Sequence, residues 1–215
     1  TGLHRTYPNW LANEAARGNE WHAFANGNPP NHETILPFTR LIGGPMDYTP
    51  GIFKLRNYAK DAPERQMNST LCKQLALYVT LYSPLQMVAD IPENYLAYPD
   101  AFNFIQQVPV DWDDTQILEA EPGEFITIAR KAKGGTNWYI GGITGNNKRI
   151  ANCHFNFLIP GKKYRVTLFA DAPNADWKSN PEAYTIQKKT VTKEAHLQVP
   201  IAAGGGFAMI VEELP

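Results

Sequence analysis

Ala151-Asn-Cys-His-Phe-Asn-Phe157 carries apolar side chains at odd positions and polar ones at even positions, and Lys163-Tyr-Arg-Val-Thr-Leu168 does the reverse. A period of two is the mark of a strand with one buried face. Working outward, further strand-like runs fall at 124–130, 137–144, 184–191, 196–201 and 207–212. Gly134-Gly135, Gly145-Asn-Asn147, Pro160-Gly161 and Gly204-Gly-Gly206 punctuate them as turns. Seven or eight short strands in the second half predict an antiparallel β-sandwich. Gly204-Gly-Gly206 has no helix after it, so it reads as a turn and not as a phosphate loop.

The first half follows another pattern. Leu71, Leu75, Tyr78, Val79 and Tyr82 recur at three- and four-residue steps, which predicts a helix over 69–82 with one apolar face. Asn68 or Ser69 is placed to cap it, and Pro84 stands just past its end. A shorter helix is expected over 100–107, and a short strand over Leu3 to Tyr7. Gly43-Gly-Pro-Met-Asp-Tyr-Thr-Pro-Gly51 reads as a strand and turn. Long loops surround these pieces, so the first half suits the end of a larger structure better than a closed unit.

Totals exclude some classes of function. Of 215 residues, 43% are hydrophobic, enough for a packed core. Twenty basic against 21 acidic residues give a formal net charge of -1, with no basic stripe for nucleic acid. No apolar run approaches the ~18 residues that a membrane-spanning helix needs. Cys72 and Cys153 fall in different elements and read as buried, unpaired thiols; no Cys/His cluster suggests zinc.

Chemistry concentrates at Glu14 and Glu20, in Asn13-Glu-Ala-Ala-Arg-Gly-Asn-Glu20. Six residues is the wrong interval for one helix face. It suits a loop that folds back and aims two carboxylates at one point, where they can hold a hard cation or deliver a proton. It is also the spacing of two solvated surface glutamates. Trp10, Trp21 and Phe24 flank the pair and read either as a sugar-stacking platform or as core packing. Arg40 and Asp47 read as a buried ion pair. His4, His22 and His32 are candidates for hydroxyl recognition, with a structural hydrogen-bonding role as the alternative. Tyr139, His154 and Trp177 either line a groove on the sandwich or pack.

Several stretches in order resemble glycoside hydrolase family 97: Gly2-Leu-His-Arg-Thr-Tyr-Pro-Asn9, Asn13 to Glu20, Leu36-Pro-Phe-Thr-Arg40, Gly44-Pro-Met-Asp-Tyr-Thr-Pro-Gly51, Phe104-Ile-Gln-Gln-Val-Pro-Val-Asp-Trp-Asp-Asp-Thr115 and Gly123-Glu-Phe-Ile-Thr-Ile-Ala-Arg130. The resemblance implies a multidomain fold. Residues 1–105 would be the C-terminal portion of a (β/α)8 catalytic barrel and 106–215 a C-terminal β-sandwich, the rest of the barrel lying upstream of Thr1. It implies that Glu14 and Glu20 ligate Ca2+, and that Glu20 is the general acid. The base or nucleophile would lie outside this stretch.

The expected activity is that of an exported, periplasmic, exo-acting α-glycosidase on oligosaccharides. α-Glucosidase stands first and retaining α-galactosidase second, with no nucleic-acid partner. The alternative of another class is a non-catalytic β-sandwich module that binds carbohydrate or scaffolds a partner.

Overall fold

The computed structural model describes residues 2–24, 27–57 and 64–215, with Phe24 described by its backbone alone. Short helices α1 (Leu3–Thr6), α2 (Trp21–Phe24) and α3 (His32–Ile35) precede two 3-10 turns, Leu36–Phe38 and Arg40–Gly43. Then come α4 (Leu71–Thr80), α5 (Pro92–Leu96) and α6 (Pro99–Gln107). Eight strands follow: β1 (Trp112–Glu121), β2 (Phe125–Ala132), β3 (Trp138–Thr144), β4 (Arg149–His154), β5 (Tyr164–Asp171), β6 (Tyr184–Val191), β7 (His196–Ile201) and β8 (Gly206–Glu213).

The strands form two antiparallel sheets, one of six in the order β1-β2-β3-β8-β5-β6 and one of two, β4-β7. The expected sandwich is therefore present, in lopsided form. Ala151, Cys153, Val199 and Ile201 of the small sheet pack with Ile140, Val166, Leu168, Phe207 and Met209 on one face of the large sheet. The other face of the large sheet carries α4. Leu71, Leu75 and Tyr78 pack with Tyr139, Phe169, Ala208 and Ile210, and α6 adds Phe104. Leu77 joins Ile126, Ile128 and Ile143 beside Leu36, Met46 and Tyr48.

The large sheet is thus the middle of three layers. This explains why β3, buried at every position, shows no polar alternation while β4 does.

α4 is buried along all ten residues, more than its one-sided apolar pattern predicts. Its N-cap is Thr70, whose side chain accepts from the Lys73 amide, and not Asn68 or Ser69. A close approach to the sheet makes the contact. A Cβ on Gly141 of β3 would stand 2.7 Å from the Ala76 carbonyl oxygen and 2.8 Å from Val79 Cβ.

Three sequence expectations are corrected. Leu3 to Tyr7 is not a strand: Leu3–Thr6 is a helical turn behind Gly2 at φ 83°. The 43–51 stretch forms no strand: Gly43 ends the second 3-10 turn, and among the described residues the β pairing of the rest is one parallel bridge between Asn13 and Met46. β1 escaped the two-residue pattern because Asp113, Asp114, Thr115 and Gln116 are all exposed, and a register shift between Trp112 and Asp114 breaks its alternation. Before Trp112 the described residues hold helices, turns and isolated bridges, and close no barrel by themselves.

Candidate active site

Two segments, 12–20 and 45–51, run side by side and bring the acids together. The Asp47 amide donates to the Asn13 carbonyl at 2.8 Å. Arg40 fastens the start of the loop: its Nη2 donates to the carbonyls of Asn13 at 2.7 Å and Glu14 at 3.0 Å, and its Nη1 to Gly44 at 3.2 Å. The expected Arg40–Asp47 ion pair is absent from the ion pairs among the described residues. The guanidinium fork is spent on carbonyl oxygens, which frees the Asp47 carboxylate for the cavity wall.

The same clamp surrounds a strained residue. Ala15 sits at φ 102°, a region that residues with a Cβ rarely enter.

The middle and end of the loop are held from below. His32 Nε2 lies 2.8 Å from the Arg17 carbonyl, and Asn28 Nδ2 donates to the Gly18 carbonyl at 2.9 Å. Asn19 is fully buried; its side chain donates to the Thr49 carbonyl at 2.7 Å and to Gln74 Oε1 at 3.0 Å. Gln74 Oε1 also accepts the amides of Gly51 and Ile52, at 3.1 and 3.2 Å. One buried glutamine on α4 therefore fixes both segments. Glu20 ends the loop, its Oε2 accepting from the Thr49 hydroxyl at 2.5 Å.

Glu14 and Glu20 line one cavity of about 200 Å³ together with Gly18, Asp47, Tyr48, Thr49 and Met87. They also line a more open cleft with Trp21 and Arg17. Asp47 is thus a third carboxylate at this wall. Sequence reading placed it in an ion pair because a nearby arginine is the usual partner of such an acid; nothing in the sequence shows that Arg40 is already engaged.

The donors at the wall are carboxylates and a hydroxyl, the hard oxygen set that suits Ca2+ and Mg2+ and not softer metals. Among the described residues no group of three or more His, Cys, Asp and Glu stands close enough to hold a metal unaided.

The flanking candidates separate. Trp10 and Trp21 are exposed by 42% and 38%, so neither is core packing. Trp10 donates to Asn13 Oδ1, whereas Trp21 lies under the Arg17 guanidinium at 5.9 Å and borders the cleft. Phe24's side chain lies outside the described residues.

His22 is buried and structural. Its Nδ1 meets the Asn19 carbonyl at 2.9 Å and its Nε2 accepts the Asn68 amide at 3.2 Å, so the ring is neutral, and burial lowers its pKa. His4 packs against Gly44. On the sandwich, Tyr139 is buried and donates to the Gln107 carbonyl at 3.0 Å, Trp177 packs over Gly204, and exposed His154 stacks on His196 at 4.2 Å. The three thus have separate partners. Cys72 and Cys153 are buried and free, as expected, and burial raises both thiol pKa values.

Behind the site lies a buried ion pair that sequence reading missed. Lys73 Nζ stands 3.1 Å from Glu33 Oε2 and donates to the Thr144 carbonyl of β3 at 3.2 Å; the Tyr48 hydroxyl donates to Glu33 Oε1 at 3.0 Å. Tyr48 is part of the cavity wall, so α4 ties that wall to the sandwich through a chain of polar contacts.

The fold is a sandwich whose large sheet packs on a buried helix, with paired glutamates on a clamped loop beside it. Residues 111–212 match the family described as "Glycosyl-hydrolase 97 C-terminal, oligomerisation". Over 98% of its length the chain is 37% identical to a retaining alpha-galactosidase of Bacteroides thetaiotaomicron, and covers 32% of that protein. A probable retaining alpha-galactosidase of Streptomyces bingchenggensis is 34% identical over 97% of the chain, which covers 29% of it. Glycoside hydrolase family 97 enzyme structures from Pseudoalteromonas sp. strain K8, in complex with panose and with acarbose, superpose over the whole chain at TM-score 0.94 and 45% and 46% identity.

The chain belongs to glycoside hydrolase family 97. It corresponds to the C-terminal part of such a protein and spans about a third of the length of these relatives.

Proposed function

We propose that this chain supplies Glu20 as the general acid of an exo-acting α-glycosidase, with Glu14 and Glu20 as ligands of a Ca2+ beside the sugar. The supporting observation is that both glutamates line one cavity while Thr49 anchors Glu20 by a single oxygen. Glycosidic cleavage needs one carboxyl to protonate the leaving oxygen and a second to activate water or attack carbon. The second comes from outside these residues.

Ca2+ takes about six to eight oxygen ligands, so Glu14, Glu20 and the nearby Asp47 would be completed by groups from the rest of the enzyme and by solvent. Bound there, the ion would supply positive charge next to the reacting sugar.

Residues 1–105 are read as the closing portion of a (β/α)8 barrel and 106–215 as the sandwich beside it. Leu85, Met87, Val88 and Ile91 form an exposed apolar run, with Leu85 exposed by 61% and Ile91 by 56%, the kind of surface that upstream parts of the same polypeptide would cover. No helix among the described residues is long and apolar enough to cross a membrane. A periplasmic, exported enzyme remains the reading by family.

For the sugar, α-glucosidic bonds come first, because the more similar structures are those bound to panose and acarbose. Panose is a trisaccharide of α-linked glucose. The retaining α-galactosidase names of the curated relatives favour the second reading. A free-standing sandwich module is weaker, since the likeness covers the residues before Trp112 as well.

The deciding experiment assays the intact enzyme on p-nitrophenyl α-glucoside and α-galactoside, with and without EGTA, and on an unactivated disaccharide after Glu20→Gln. Rates that survive EGTA overturn the Ca2+ reading. A disaccharide rate untouched by Glu20→Gln overturns the role of Glu20.

A further inference from the structure

We infer that Thr49 is the residue that positions the Glu20 carboxyl, dividing its two oxygens between anchoring and chemistry. The inference rests on the reading of Glu20 as the acid.

Hydrogen-bond direction is fixed here by elimination. The Asn19 amide can only donate, and it does so to Thr49 Oγ1 at 2.7 Å. The hydroxyl has one proton to give. It goes to Glu20 Oε2 at 2.5 Å, the short distance of a hydroxyl bonded to a carboxylate. Among the described residues no other hydrogen bond reaches the Glu20 carboxyl, so Oε2 is held and Oε1 is left for the leaving group.

Thr49 is itself immobilised. Its carbonyl accepts the Asn19 side chain at 2.7 Å, and Asn19 is tied to Gln74 on α4. Position is thereby passed from a fully buried helix to an acid on a loop. Gly18 completes the cradle, because it has no Cβ to occupy the space in which the carboxyl and the hydroxyl meet.

The test uses the intact enzyme at saturating Ca2+, with Thr49→Val, Thr49→Ser and Glu20→Gln compared on an unactivated disaccharide and on a p-nitrophenyl glycoside of the same sugar. Valine keeps the shape and removes the donor. It should lower kcat on the disaccharide by about 10–100-fold, the usual effect of losing an orienting partner, with KM nearly unchanged. The aryl glycoside needs little protonation of its leaving group and should lose far less; serine should restore most of the disaccharide rate.

Equal losses on both substrates, no rescue by serine, or no effect of valine overturns the inference. If valine is silent while Glu20→Gln is severe on the disaccharide, only the role of Thr49 falls. If Glu20→Gln is itself silent there, the reading of Glu20 and this inference fall together. Thermal melting of each variant separates misfolding from misplacement.

Discussion

Gly18 leaves open the space that Glu20 fills: a Cβ on Gly18 would stand 2.2 Å from Glu20 Oε2 and 2.8 Å from Oε1. Gly18 has no left-handed φ, so alanine suits its backbone and the only conflict is spatial. The Glu20 oxygens are the tip of a flexible side chain and can swing aside, but Thr49 Oγ1, at 2.5 Å from that Cβ, is held by the Asn19 amide and must shift as well. Gly18→Ala should therefore cost about 1–3 kcal/mol of stability, the usual effect of overfilling a packed site. Displacing a reacting group by about 1 Å costs on the order of 100-fold in rate. Melting curves beside disaccharide kinetics of the intact enzyme check this; a large loss of stability with normal kinetics would contradict it.

Lys73 and Glu33 should fail asymmetrically. Both side chains are almost fully buried, and Lys73 holds the Glu33 pKa below the usual carboxylate range although burial pushes it upward. Lys73→Met leaves a buried carboxylate without its cation, which costs about 3–5 kcal/mol. Lys73→Met with Glu33→Leu removes both charges and should recover a good part of that loss. Chemical denaturation of the single and double variants gives the coupling.

His22 makes the fold sensitive to acid. Burial lowers its pKa, and the ring accepts the Asn68 amide, which a protonated ring cannot do. The unfolded chain takes up a proton near pH ~6.5 while the folded chain resists. The unfolded state then binds more protons, so stability is full above that pH and falls as pH drops below it. His22→Gln should flatten the fall in melting temperature between pH 7 and pH 5.5, measured against the unsubstituted protein.

Asp171 acts with the opposite sign. Burial raises its carboxyl from 3.8 to about 7, against amide donors from Ala202 and Gly206 at 3.0 Å each. Its folded pKa lies above the unfolded one, so its contribution is fully present below about pH 4 and is lost as pH rises through 7. Asp171→Asn mimics the protonated acid. It should melt higher than the unsubstituted protein at pH 8, with the advantage shrinking toward pH 5. An equal shift at both pH values would contradict the raised carboxyl.

Much of the sandwich can be read from local pattern. β4 and the first half of β5 alternate, since one side meets the core and the other is wet or half-buried; Leu168 to Asp171 are buried throughout, because Phe169 on the second face packs with α4. β1 was missed for the converse reason: its exposed start has no buried face to impose a period. At the site the loop and its two acids are legible from spacing and from the resemblance. Asp47, Thr49 and Gln74 are not, because their roles depend on partners 29 to 55 residues away in sequence, such as Glu20 for Thr49 and Asn19 for Gln74.

The amino-acid sequence by itself determined the antiparallel sandwich, a helix within 69–82 and the paired glutamates, because period and local spacing are properties of neighbouring residues. Tertiary structure alone decided that the small sheet and α4 cover opposite faces of the large one, and that Arg40 holds carbonyls and not Asp47. It likewise decided that Thr49 captures one oxygen of Glu20. The physical reason is that a hydrogen bond or a buried contact needs its partner in place, and only folding puts segments distant along the chain within 3 Å of each other.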